Sequence, residues 1–471
     1  MSYDYRLYID GTWKGTSGEA PITLINPATE QPIGHVARAS EADICRAIAS
    51  AVAVRASWAA VPPARRGKLL CDAADILEKR IGEAAQALSD EQGKTIAEAT
   101  GEYRRALEVL RWNGQQPEKL DQPVAIDAAR YLQPEPVGIV AAFTPWNYPA
   151  VLNARKLGPA LAAGCPVILK GAEETPSSAV YMVEALVEAG LPQGVVNLLF
   201  GDPPQISSTL LASPEVRLVS FTGSTSVGRQ IAEMAAANLQ RCVLELGGHS
   251  PVAIFADADL DQAVANVVEY KFECAGQSCN APSRILIENK IYDEVLSRII
   301  AAVEQIRIGP GDDATTQMGP MANMRRIEAM ERLTADALAR GAKVVTGGKR
   351  VERQGFYWPP TLLTDVPDDA LVLHEEPFGP VLTLQRFSTV DEAIEMANST
   401  EYGLASYLFT RSPSTEARMV RELAAGAISV NRMKGVSADA PNAGVNQSGY
   451  GYEGGVEGYR AFQNLKLVNR S

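Results

Sequence analysis

The run Val137-Gly138-Ile139-Val140-Ala141-Ala142-Phe143, followed at once by Thr144-Pro145-Trp146-Asn147-Tyr148-Pro149, decides the fold. A short, unbroken apolar run that ends in a proline-fixed turn and opens onto a helix reads as a strand buried on both faces. The same grammar repeats downstream. Apolar runs at Pro166–Lys170, Val195–Phe200, Val216–Phe221 and Cys242–Leu246 alternate with helical stretches near 150–163, 176–189, 204–212 and 225–237. This predicts a parallel sheet covered by helices on both faces, a doubly wound, Rossmann-like α/β domain.

A second series starts at Pro251–Phe255, with helices near 260–274 and 291–305 and a strand near Lys343–Thr346. It continues with Val381–Phe387, a helix near 391–398, Ser406–Thr410 and Ala427–Asn431, and predicts a second domain of the same class. Ahead of both, the first 115 residues read as short strands and then amphipathic helices, with Leu69, Leu70, Ala73, Ile76, Leu77 and Ile81 at helical spacing. The segments 118–136 and 453–471 fit neither domain. The tail around Leu465-Lys466-Leu467-Val468-Asn469 would leave a strand edge open in a monomer, so it either pairs between subunits or finishes its own sheet.

Composition narrows the function. The 471 residues are 46% apolar and 21% charged, ordinary for a soluble globular protein. The net charge of −12 argues against nucleic acid or an anionic membrane surface as partner. The start Met1-Ser2-Tyr3-Asp4-Tyr5-Arg6 carries no secretory pattern, and prolines and charges interrupt the apolar stretch 137–170, which excludes a membrane span there. Six dispersed cysteines with no CxxC pair suit a reducing, cytoplasmic setting. His35, His249 and His374 are too widely spaced to suggest a zinc site, so no metal is expected.

The chemistry concentrates in Gly276-Gln277-Ser278-Cys279-Asn280, preceded by Glu245-Leu246-Gly247-Gly248. A thiol can attack a carbonyl carbon, and a carboxylate can activate the water that releases the product. A lone cysteine is more often inert packing. Here, Gly276 and the small polar neighbours suggest a loop or helix start whose N–H groups favour the thiolate. Phe221-Thr222-Gly223-Ser224 leaves a strand and opens a helix, placing Gly223 and Ser224 where a pyrophosphate could sit. Lys170 and Glu173, at another strand end, could hold ribose hydroxyls or form a solvated pair. Asn147 offers an amide to a developing oxyanion, or serves only its turn.

In this order, TPWNYP, ILKGAEETP, FTGSTSVG, ELGGHSP, GQSCNAPSR and EEPFGPV resemble the aldehyde dehydrogenase superfamily across essentially the whole chain. The resemblance implies an NAD-binding domain (1–117 and 137–246), a catalytic domain (247–452) and a small β oligomerisation element (118–136 and 453–471), assembled as homodimers or homotetramers. It implies Cys279 as nucleophile, Glu245 as general base, and Asn147 with the Cys279 N–H as the oxyanion hole. Trp146, Lys170, Glu173, Gly223, Ser224, Glu376 and Phe378 match cofactor-binding positions. A carboxylate at Glu173 repels a 2′-phosphate, so NAD is expected ahead of NADP.

Departures bear on the substrate. Asn442 replaces an aromatic that usually walls the aldehyde pocket, Asn446 a usual Lys, and Gly171 a usual Pro. Arg155 resembles the succinate-semialdehyde branch, where it and the residue matching Arg284 contact a substrate carboxylate. The expected substrate is therefore a carboxylate-bearing semialdehyde. The alternatives are a bulkier or more polar aldehyde at Asn442, or a thiol esterase or binding protein on the same fold.

Overall fold

A computed structural model of the chain describes residues 3–17, 20–433 and 436–470. Its first sheet has eight strands. Five are parallel, in the spatial order Arg241–Glu245, Val216–Thr222, Ile139–Phe143, Val167–Lys170, Val196–Leu199. Antiparallel Gly449–Tyr450 closes one edge, and Leu7–Ile9 followed by Thr12–Lys14 closes the other. The chain runs outward from Ile139–Phe143, then returns to lay Val216–Thr222 on its opposite side. Open α/β sheets bind ligands at such a reversal, beyond the C-terminal strand ends.

Local chemistry explains the regularity. Helices Pro149–Ala163, Pro176–Glu188 and Pro203–Ala212 each begin on a proline. Its missing N–H is one that the first turn leaves unpaired in any case. The strands between them are buried on both faces, as their unbroken apolar sequence requires.

The second sheet has seven strands, in the order Lys343–Thr346, Thr361–Thr364, Val381–Phe387, Arg284–Glu288, Pro251–Ile254, Ala405–Phe409, Ala427–Val430. All neighbours are parallel except at Lys343–Thr346. Two doubly wound α/β units thus make up the bulk of the chain. Sequence reading overlooks the strands Arg284–Glu288 and Thr361–Thr364 and the helices Met324–Arg340 and Pro413–Glu422.

Residues 124–136 and the tail meet in a third sheet, with Gln463–Asn469 antiparallel to Arg130–Pro136 and Val124–Ala125 beyond it. Leu465 and Leu467 stay exposed on the outer strand. The boundary expected at 452/453 shifts. Strand Gly449–Tyr450 already belongs to the first sheet, and Glu453 forms a buried ion pair with Lys156 there. Only 463–469 joins the small sheet.

Candidate active site

A cleft of about 970 Å³ lies where the two large sheets meet. From the C-terminal ends of the first sheet's strands come Trp146, Asn147, Lys170, Glu173, Gly223, Ser224 and Glu245. Cys279, Glu376 and Phe378 enter just ahead of strands Arg284–Glu288 and Val381–Phe387. A separate pocket of about 370 Å³, lined by Phe255, Asp257, Glu288 and Phe387, contains none of these residues.

Backbone geometry makes the thiol loop. Cys274, Ala275 and Gly276 follow one another at φ 53°, 52° and 71°. The left-handed path brings the chain so near Gly379 that a Cβ at Gly276 would stand 2.3 Å from its carbonyl oxygen. Gln277 is buried, donating from Nε2 to the Cys274 carbonyl (2.9 Å) and accepting from the Ala322 N–H (3.0 Å). Asn147 Nδ2 donates to the Gln277 carbonyl at 3.1 Å, which ties the turn after Ile139–Phe143 to the thiol loop.

The electrostatics correct one expectation. No helix begins at Cys279, and its thiol is not acidified. Burial first, then the charges of Glu245 and Glu376, push its pKa well above the usual value. Cys279 keeps partial exposure, but that exposure is to the cleft, so protein groups dominate its surroundings. Burial, followed by Glu453, raises Glu245 to about 7. Both Glu245 oxygens lack a hydrogen-bond partner within normal distance among the described residues, though carboxyl and thiol feel one another. Burial likewise raises Glu376 to about 8, against the pull of the Gly248 N–H, which donates to it at 3.1 Å.

The far end of the cleft fits a dinucleotide. Lys170 Nζ pairs with Glu173 at 2.6 Å, and the other Glu173 oxygen accepts from the Gly201 N–H at 3.0 Å. That carboxylate is held in one orientation. Helix Thr225–Ala236 starts at Ser224, whose side chain makes no capping bond, leaving the first N–H groups for an anion. Phe378 sits at φ 45°, its ring edge-on to Trp146 at 5.5 Å and 5.6 Å from the Arg326 guanidinium. Among the described residues no cluster of His, Cys, Asp and Glu could hold a metal ion.

Three sequence-predicted residues lie off the cleft. Arg284 is buried and donates to the carbonyls of His249, Met396 and Ala397, capping the end of helix Val390–Ala397. Those bonds satisfy its guanidinium within the second domain, so it is not offered to a substrate. Arg155 is buried on helix Pro149–Ala163, donating from Nη2 to the carbonyls of Val436 (2.9 Å) and Ser437 (3.2 Å). Its Nη1 has no partner, and its charge acts on Glu453, Glu245 and Cys279. Asn442 is buried, with its backbone paired to Glu453 and Oδ1 unpartnered. Sequence reading missed Glu453 and Lys156, whose buried pair (2.6 Å) also reaches Thr222 Oγ1 at 2.9 Å. The adjacent Arg155-Lys156 was the available signal.

Comparison with known proteins decides the family. Residues 13–468 match the aldehyde dehydrogenase family. The chain belongs to it. It is 42% identical over 468 residues to 4-(hydroxymethyl)benzenesulfonate dehydrogenase TsaD1 of Comamonas testosteroni, covering 98% of this chain and 97% of that one. Glutarate-semialdehyde dehydrogenase of Pseudomonas aeruginosa is 36% identical, at 98% and 96% coverage. The crystal structure of succinate-semialdehyde dehydrogenase from Burkholderia pseudomallei superposes with a TM-score of 0.95 at 37% identity, covering 98% and 97%. This aldehyde dehydrogenase is an NAD(P)-dependent enzyme that oxidises an aldehyde to a carboxylic acid.

The raised Glu245 pKa makes a stability prediction. Its folded-state value of about 7 lies above the ordinary glutamate value of 4.5, so ionising it in the folded protein is unfavourable. Stability is retained below the lower value and lost as pH rises through the higher one. Glu245→Gln should therefore raise the melting temperature at pH 8, with the gain vanishing toward pH 5. Thermal unfolding at both pH values checks it; a Gln variant no more stable at pH 8 would contradict it.

Proposed function

We propose that this enzyme oxidises an aldehyde carrying an anionic group, a carboxylate or a sulfonate, with NAD as the preferred cofactor. Arg155 carries the reading: a buried guanidinium with one nitrogen unpartnered, whose charge acts on both Cys279 and Glu245. Glu453 and Glu245 act on that charge without a contact ion pair, and a buried guanidinium nitrogen left unpartnered favours an incoming anion. The names of the relatives support the same class, being those of enzymes for a benzenesulfonate and for two semialdehydes of dicarboxylic acids.

The residues would act as follows. Cys279 Sγ attacks the aldehyde carbon and gives up its proton, for which Glu245, with a pKa of about 7, is the neighbouring base. The new oxyanion is met by an N–H of the Asn147 amide and the backbone N–H of Cys279. Lys170, Glu173, Ser224, Glu376 and Phe378 would hold the nicotinamide cofactor, which when bound would supply the hydride acceptor that the adduct on Cys279 needs to become a thioester. Glu245, its first proton released to solvent, takes a proton from water as that water attacks the thioester; the C–S bond breaks, Cys279 leaves as thiolate and recovers a proton, and the carboxylate product departs.

A second reading draws on Asn442. Its Oδ1 is buried and unpartnered, at a position that the resemblance gives to an aromatic, which suits a bulkier aldehyde with a polar group to pair there. The assembly is proposed as a homodimer or homotetramer through the exposed strand Gln463–Asn469, and the setting as cytoplasmic.

Three measurements test these assignments. Glu245→Gln should slow both first-turnover NADH formation and acyl-enzyme hydrolysis, with steady-state turnover reduced about 10²-fold or more. Normal turnover would remove Glu245 from the base role. In a substrate panel, semialdehydes or sulfonated aldehydes should exceed neutral aldehydes in kcat/KM, and Arg155→Met should erase the difference by raising KM for the anionic substrates alone. Simple aliphatic aldehydes winning that panel would overturn the anionic reading. NAD should exceed NADP in kcat/KM, because the fixed Glu173 carboxylate opposes a 2′-phosphate; an NADP preference would refute it.

A further inference from the structure

Residues 92–102 do not line the cleft, yet they grip both loops that form it. Lys94 and Glu102 are fully buried and paired with one another. Lys94 Nζ donates to the Asn147 carbonyl at 2.7 Å and lies 4.2 Å from the Tyr148 ring centroid. Glu102 Oε1 accepts from the Ala150 N–H at 2.7 Å, within the first turn of helix Pro149–Ala163. One ion pair thus holds the backbone on both sides of the turn that presents Asn147.

The same segment reaches the thiol loop. Gln92 Nε2 donates to Cys274 Sγ at 3.1 Å, and the Cys274 N–H donates to Glu98 Oε1 at 2.8 Å. The Asn147 amide, donating to the Gln277 carbonyl, closes this circuit. Its Oδ1 has no partner, so the amide is held by a single side-chain bond and by the backbone beneath it.

Two opposed charges removed from water are poor stabilisers, because well-packed apolar side chains commonly serve stability as well or better. An oxyanion donor, in contrast, works only when fixed before charge develops. We propose that Lys94 and Glu102 are a positioning pair for the Asn147 amide, setting its place relative to Cys279. The proposal rests on the oxyanion role given to Asn147 above.

A double-mutant cycle tests it on the intact enzyme, with first-turnover NADH formation as the readout. The double variant Lys94→Met, Glu102→Gln removes the charges together and leaves an acceptor for the Ala150 N–H. It should slow the first turnover about 10–100-fold, with the NAD dissociation constant changed less than about twofold. In an Asn147→Ala background the same double change should slow it by less than about threefold, since the pair acts through that amide. Equal slowing in both backgrounds, or an unchanged burst in wild-type background, would overturn the proposal. Should the double variant not fold, Glu102→Gln alone is read by the same cycle. An Asn147→Ala enzyme with an undiminished burst would instead remove the oxyanion reading, and the positioning role with it.

Discussion

Gly248 and the carbonyl of Cys279 approach so closely that a Cβ at 248 would stand 2.4 Å from that oxygen. At Gly247 a Cβ would meet Glu376 Oε2 at 2.7 Å. No side chain fits at either position without displacing the thiol loop or the Glu376 carboxylate. The constraint matters because the strap Leu246–Ser250 carries the chain from strand Arg241–Glu245 of one sheet to strand Pro251–Ile254 of the other. The base at Glu245 and the loop that carries Cys279 therefore both abut one short backbone crossing. That crossing is narrow.

The narrowness has an electrostatic consequence. Glu245, Glu376 and a thiol share a volume from which most solvent is excluded, and desolvation is the leading cause of the upward shift in each. For Glu245 the result, about 7, is the range in which a carboxylate can accept a proton and return it near neutral pH. Lys271 shows the mirror effect, lowered by burial to about 7 while Glu376 pulls it upward. Because these groups interact, their protons belong to the cluster, and apparent pKa values describe the set. The acidity expected of Cys279 rests on its local loop; burial of the thiol, and then the charges of Glu245 and Glu376, outweigh it.

Sequence legibility follows the same division between local and distant causes. The parallel strands were readable because both faces are buried and the residues are apolar without interruption, as in Ile139–Phe143. Helix Met324–Arg340 escaped because only a thin stripe of Ile327, Met330, Leu333, Thr334 and Ala337 is buried amid charged residues. Glycine and proline turns brought most candidate residues to the cleft, since turn chemistry is itself local. Arg284, five positions beyond the thiol, was misplaced because spacing alone does not reveal which way a buried strand's side chain faces. Two departures become intelligible only in three dimensions. A Cβ at Gly171 would lie 2.6 Å from the Phe200 ring, and Asn446 occupies a left-handed φ of 54° that Asn tolerates better than most residues.

The supports of the site were illegible for a further reason. Gln92, Lys94, Glu98 and Glu102 look, in sequence, like an ordinary polar turn between two helices, and the capping box at Thr95 and Glu98 explains part of it. Their other partners lie roughly 50 to 180 residues away, at Asn147, Ala150 and Cys274. Those partners include the strained backbone. Cys274 and Ala275 hold left-handed angles that cost non-glycine residues about 1–2 kcal/mol each, and such strain persists only where surrounding contacts over-determine it. The N–H of Cys274 bound to Glu98, and its sulfur bound to Gln92, are contacts of that kind. The first domain thereby holds in place a loop that belongs to the second, and the geometry of the thiol becomes a property of the junction.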